Sequence, residues 1–116
     1  MAAKKKILVF IDWYLPGYKA GGPIKSCASI ISNLKDDFDF AVITSDTDFS
    51  DTQPYPNIKP DQWNISPDGT RVYYFSQHNF SQKSLREVMQ SEQPDILYMN
   101  SFFSQNFTLK PLKIAR

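Results

Sequence analysis

A continuous apolar run near the start of the chain, Ile7-Leu8-Val9-Phe10-Ile11, constrains it more than any other feature. The run has no polar interruption, as expected of a strand buried on both faces of a parallel sheet. Lys4, Lys5 and Lys6 precede it as a solvated lead-in. A loop follows that ends in Gly21 and Gly22. Gly22 and Pro23 then open a helix, glycine bringing no side-chain bulk and proline suiting the first turn. Ile24, Cys27, Ala28, Ile31 and Leu34 recur on one helical face, with Lys25, Ser29, Ser32 and Asn33 opposite. Such a unit sets backbone N–H groups and the positive end of a helix dipole beside the carboxyl end of a central strand. That is where α/β proteins bind anionic ligands.

The alternation continues along the chain. A second apolar strand is expected over Phe40–Thr44. From Ser45 to Thr70 neither period persists, and Pro54, Pro56, Pro60 and Pro67 interrupt a stretch read as one long structureless connection, functional or mobile. Pro67-Asp68-Gly69 signals a turn, and Arg71–Ser76 reads as a third strand. A second helix is expected between Ser81 and Gln93. Ser81 as cap would staple Phe80 to Leu85, while Ser84 with Glu87 offers an alternative capping box. Leu85, Val88 and Met89 form its apolar stripe, Pro94 ends it, and Asp95–Met99 is a fourth strand. Asn100 to Asn106 reads as a polar and aromatic loop. Thr108 can cap a last helix from Leu109, with Pro111 in its first turn. That helix meets Arg116 after barely two turns, so the chain reads as the front part of a larger protein.

Strands alternating with helices predict right-handed crossovers and a sheet covered on its faces. The expected fold class is α/β, a Rossmann-like parallel sheet in three layers (α/β/α) with strand order 3-2-1-4. A crevice then opens at the carboxyl ends of the first and fourth strands, lined by the loops Asp12–Gly22 and Asn100–Ser104. The 116 residues make one domain at most, and a net charge of +1 gives no bulk attraction to nucleic acid. No stretch approaches the ~18 apolar residues of a membrane span, and no signal peptide precedes Lys4. The protein therefore reads as cytoplasmic, and its sequons at Asn64, Asn79 and Asn106 as chance matches. Cys27 is the only cysteine, which excludes an internal disulfide, and it falls on the apolar helix face as a small packed hydrophobe.

The residues that carry a resemblance are the P-G-x-x-x-G-G-P loop (Pro16, Gly17, Gly21, Gly22, Pro23), then Ser84, Leu85 and the run Pro94 to Ser104. In this order and spacing they resemble the N-terminal, acceptor-side domain of family 4 glycosyltransferases, over essentially the whole chain. The resemblance implies a GT-B enzyme of two Rossmann-like domains facing across a cleft, the missing C-terminal domain holding most of the nucleotide-sugar donor. It implies retaining glycosyl transfer to a glycan or glycolipid acceptor, without a metal ion or other cofactor, with possible peripheral membrane association of the full-length protein. Gly21 and Gly22 would approach the donor diphosphate and stabilise the charge on the departing nucleoside diphosphate, glycine letting N–H groups come close to phosphate oxygens. Many members carry an H-x-H element after the fourth strand. Tyr98 and Asn100 stand at those positions here. Asparagine can hydrogen-bond a sugar hydroxyl but cannot transfer a proton, so Asn100 and Ser101 are substrate-contact candidates and no catalytic side chain is assigned.

The remaining candidates each have two readings. Asp12, at the carboxyl end of the first strand, can accept hydrogen bonds from an acceptor sugar or cap a loop N–H. Trp13, Tyr14 and Tyr18 can stack a sugar ring or pack the loop on the domain. Asp46-Thr47-Asp48 imitates a metal-binding D-x-D, but an EF-hand fails at Asp51 and Asn57, where glycine and glutamate are needed, and an acidic loop is the simpler reading. His78, the only histidine, lacks a partner at ligand spacing. Two other functions stay open: a dinucleotide-binding domain of an oxidoreductase, weakened by the G-Y-K-A-G-G loop lacking G-x-G-x-x-G spacing, and a stand-alone α/β interaction module.

Overall fold

The apolar run forms strand β1 (Lys5–Phe10), which pairs in parallel with β2 (Phe38–Ser45) on one side and β5 (Ile96–Met99) on the other. A computed structural model describes residues 4–19 and 21–99 together with Pro111 and Ile114. Between these strands come helix α1 (Gly22–Leu34), β3 (Trp63–Ile65), β4 (Arg71–Phe75) and helix α2 (Gln82–Glu92). The sheet order is β3-β4-β2-β1-β5, with β4 parallel to β2 and β3 antiparallel to β4. The chain is thus an α/β domain with a five-stranded mixed sheet and two helices.

This corrects the expected all-parallel, four-stranded 3-2-1-4 sheet. The added strand is β3, three residues inside the stretch read as structureless, too short to show a period and flanked by prolines. Cross-strand chemistry holds it instead: Trp63 meets Tyr73 edge-on at 5.3 Å, and the Arg71 guanidinium lies 5.0 Å from the Trp63 ring centre. The rest of the stretch is also tied down. Thr47 bridges Pro54, the Tyr55 N–H donates to Asp46 O at 2.8 Å, and the Asn64 side chain clamps the Lys59 backbone in both directions. The segment expected around Leu109 lies outside the described residues, save that Pro111 and Ile114 are helical.

Strand pleating sorts the core onto the two sheet faces. Ile7, Val9, Ile11, Phe40 and Val42 pack with Cys27 and Ile31 of α1. Leu8, Phe10, Ala41 and Ile43 pack with Leu85, Val88 and Met89 of α2. Burial also pushes the Cys27 thiol up to about 11, which keeps it protonated and inert. Gly21 starts α1 with φ 74° and ψ −120°, a conformation open to glycine, and no side chain caps it. α2 begins at Ser81, whose Oγ accepts the Ser84 N–H, with Phe80 packed on the cluster that holds Leu85. It ends at Gln93 in the left-handed region, its N–H bonded to Met89 O.

The last residue of α2, Glu92, is buried at 8 % exposure and joins three elements. Its carboxylate takes a two-pronged bond from Arg71 of β4 at 2.7 and 3.2 Å, and Lys6 Nζ of β1 sits 3.5 Å away. Glu92→Ala should lower the unfolding free energy by about 2 kcal/mol, less than for a fully buried pair because Lys6 and Arg71 keep some solvent contact. Urea denaturation would read this as a lower midpoint at unchanged slope. An unmoved midpoint would mean the junction adds nothing net.

Candidate functional site

Pairing continues beyond the strand ends and aligns the residues that follow them. The Ile11 N–H bonds Ile43 O, Ser45 N–H and Oγ both reach Asp12 O, and the Asp46 N–H bonds Phe75 O at 3.0 Å. Asp12, Ser45–Asp46 and Phe75–Ser76 therefore stand side by side at the carboxyl edge of β1, β2 and β4. There they wall a cavity of about 220 Å³ with Trp13, Gln77 and Phe80. Phe75 and Phe80 meet edge-on at 5.0 Å and supply its apolar side. Trp13 is held edge-on against Phe49 at 4.9 Å. No lysine or arginine lines the cavity among the described residues.

Asp46 is the chemically distinctive group. It is 5 % exposed yet lines the cavity, its backbone N–H is taken up by Phe75 O, and no other described residue donates to its carboxylate. Burial raises its carboxyl above the ordinary carboxylate value, with the Asp61 charge adding and His78 opposing. Sequence reasoning left Asp46 in an acidic loop. The available signal was its place directly after an apolar strand.

The other sequence candidates fall as follows. Asp12 and Trp13 line the cavity. Tyr14 does not: at 2 % exposure its ring is in the core beside α1, the packing reading of the two given for it. Tyr18 is exposed. Gly21 and Gly22 form the start of α1 rather than a wall of the cavity, and a Cβ at either would meet nothing within 4 Å. Asn100 and Ser101 lie outside the described residues.

Asp48, also 5 % exposed, holds the glycine loop. Its carboxylate accepts the Tyr18 N–H at 3.0 Å, the Lys19 N–H at 3.2 Å and the Phe49 N–H at 2.8 Å. Burial would raise this carboxyl, but the three N–H bonds and the Lys19 charge outweigh it and hold it below the usual range. Gly17 is needed where Asp48 and Tyr55 close on the loop: a Cβ there would lie 2.2 Å from Tyr55 Oη and 2.9 Å from Asp48 Oδ1. Asp61 ties a second knot, accepting from Ser76 N–H, Ser76 Oγ and Asn79 Nδ2. Among the described residues no group of three His, Cys, Asp or Glu side chains could hold a metal ion.

A larger cavity, about 640 Å³, lies at the amino edge of the sheet between Lys4, Lys35, Asp39 and Asp68. It lies away from the carboxyl ends of the strands, outside which open α/β sheets bind ligands, and it mixes both charges, so the carboxyl-edge cavity is the better candidate. Comparison with protein-family models, with curated proteins and with solved structures gives no match for this chain.

Two substitutions test the loop clamp. Gly17→Ala should cost about 2 kcal/mol through overpacking against Tyr55, whereas Gly22→Ala should be neutral or stabilising by up to ~1 kcal/mol. Thermal melts distinguish them. Because the folded Asp48 carboxyl titrates below its unfolded value of about 3.9, its contribution is complete above that pH and lost as pH falls through the folded value. Asp48→Asn should therefore flatten the acid limb of the stability curve below about pH 4. A limb unchanged in D48N would exclude the clamp as its source.

Proposed function

We propose that this chain is the acceptor-side part of a retaining glycosyltransferase that moves a sugar from a nucleotide-sugar donor to a glycan or glycolipid. The observation that carries this reading is the carboxyl-edge cavity, where Asp12, Asp46, Ser76 and Gln77 offer hydrogen bonds and Trp13 offers a ring. That is the chemistry of a polyol with a C–H face. In the same reading the sheet is the Rossmann-like core of a three-layer GT-B N-terminal domain. The donor diphosphate lies at the Gly21–Gly22 end of α1, where the absence of side chains leaves room for phosphate oxygens against backbone N–H.

The chain's own residues would orient the acceptor and stabilise the leaving diphosphate, and a C-terminal domain would supply most donor contacts. Asn100 and Ser101 would complete the acceptor side. The half-exposed Ile96 and Tyr98 on edge strand β5 fit a sheet that continues with further chain. Among the described residues no helix is long and apolar enough to cross a membrane. The reading places the enzyme in the cytoplasm, with peripheral contact at most.

Two experiments test it. Neutral disaccharides should shift the backbone amide resonances of Trp13, Ser76 and Gln77 in the labelled chain, and NAD should leave them unmoved. The reverse pattern would replace this function with dinucleotide binding. In the two-domain enzyme, Gly22→Ala should keep the melting temperature while lowering donor turnover at least ~10-fold, the scale of removing one preorganised approach to the developing charge. Turnover equal to wild type would remove the diphosphate from this site.

A further inference from the structure

We infer that the carboxyl-edge cavity accepts a single uncharged or amino-sugar ring and rejects anionic sugars such as uronates. The inference rests on the glycosyltransferase reading for taking the ligand to be a sugar. What it adds is the charge and size of the unit bound.

Size sets the first limit. A volume of about 220 Å³ falls below the 300–1,000 Å³ typical of pockets for drug-sized ligands. It suits one pyranose ring and leaves no room for a nucleotide.

Hydrogen-bond inventory sets the second. The Ser45 hydroxyl donates its proton to Asp12 O at 2.6 Å, and the Ser76 hydroxyl donates its proton to Asp61 Oδ2 at 2.7 Å. Each hydroxyl thus turns only lone pairs toward a ligand. Asp46 adds a carboxylate that is 5 % exposed, lines the cavity and receives nothing from any other described residue. Asp12 lines the same wall. Thr47 and Gln77 on the same lining can donate as well as accept, so the polar surface leans toward acceptors and favours a partner rich in donors. Sugar hydroxyls and an ammonium group are donors, whereas an ionised carboxylate offers acceptors only.

Charge sets the third. Two aspartates border the cavity, and no lysine or arginine does so among the described residues. An anionic ligand would meet like charge in a partly desolvated space, where screening is weaker than in bulk water. Trp13, Phe75 and Phe80 supply the apolar side against which the C–H face of a neutral ring can lie.

The chain has two tryptophans, and Trp63 lies on β3 among the residues of a different groove. Trp63→Phe therefore leaves Trp13 as the sole indole reporter at the cavity. Fluorescence titrations of this variant would use methyl glycosides of glucose, galactose and mannose, their 2-amino analogues, the corresponding uronates, and NAD. At least one neutral or amino sugar should quench Trp13 with millimolar affinity, and its uronate should bind ten-fold or more weakly. Asp46→Asn, nearly the same shape, should narrow that ratio to about three-fold or less, as expected when one like charge is removed. The ligand comparison in the Trp63→Phe background decides the matter even if the Asn variant fails to fold.

A uronate that binds as tightly as its neutral parent would overturn this inference while leaving sugar binding intact. Quenching by NAD with none from any sugar would overturn the glycosyltransferase reading, and this inference with it. Silence from every sugar would do the same.

Discussion

Burial of β1 and β2 on both faces is the constraint from which the remaining architecture follows. Leu8, Val9 and Phe10 in one strand, and Ala41, Val42, Ile43 and Thr44 in the other, are all but withdrawn from water. Each large side chain so buried stabilises the fold by about 1.5–3 kcal/mol, and it does so only if both sheet faces are covered. α1 supplies one cover and α2 the other, and each lies on a crossover between parallel strands. Parallel strands end at a common edge. That is why Asp12, Asp46 and Ser76, far apart in the chain, stand in one row at the candidate site.

Four carboxylates in this small domain show how environment divides one chemistry into different roles. Glu92 neutralises Arg71 and Lys6 and joins α2 to the amino ends of β4 and β1. Asp48 and Asp61 spend their oxygens on backbone, hydroxyl and amide donors, which holds both below the ordinary carboxylate range against the opposing effect of burial. Asp46 is buried without such donors, and its carboxyl moves the other way. A carboxylate satisfied from within the fold is structural. One left facing a cavity is available to a ligand, and the proposed acceptor site depends on that difference.

The glycine loop shows the same division among residues of one type. Gly17 is required by crowding, since Tyr55 and Asp48 leave no space for a methyl group. Gly21 is required by its backbone, at φ 74°. Gly22 is helical with open space around it, so neither packing nor backbone conformation accounts for it. Within the proposed function it is the glycine whose role is approach by a ligand.

The strands around Ile7–Phe10, Phe40–Thr44, Arg71–Phe75 and Ile96–Met99, and both helices, were legible because their patterns are local: unbroken apolar runs, a 3.6-residue stripe, a serine cap, a terminating proline. Those patterns determined the α/β class and the two-sided burial. Asp12 and Trp13 were legible as carboxyl-edge residues for the same reason, as they follow a readable strand. Tyr14 was not, because whether an aromatic after a strand turns outward or into the core depends on the neighbours it meets, here Tyr55 and Tyr74. β3 was hidden because three residues carry no period, and its strand state comes from pairing with β4. The roles of Asp46, Asp48 and Asp61 were hidden too. A carboxylate's function is set by which donors reach it, and apart from the Phe49 N–H on Asp48 those donors lie 15 to 30 residues away in the chain, brought within reach only when the sheet assembles.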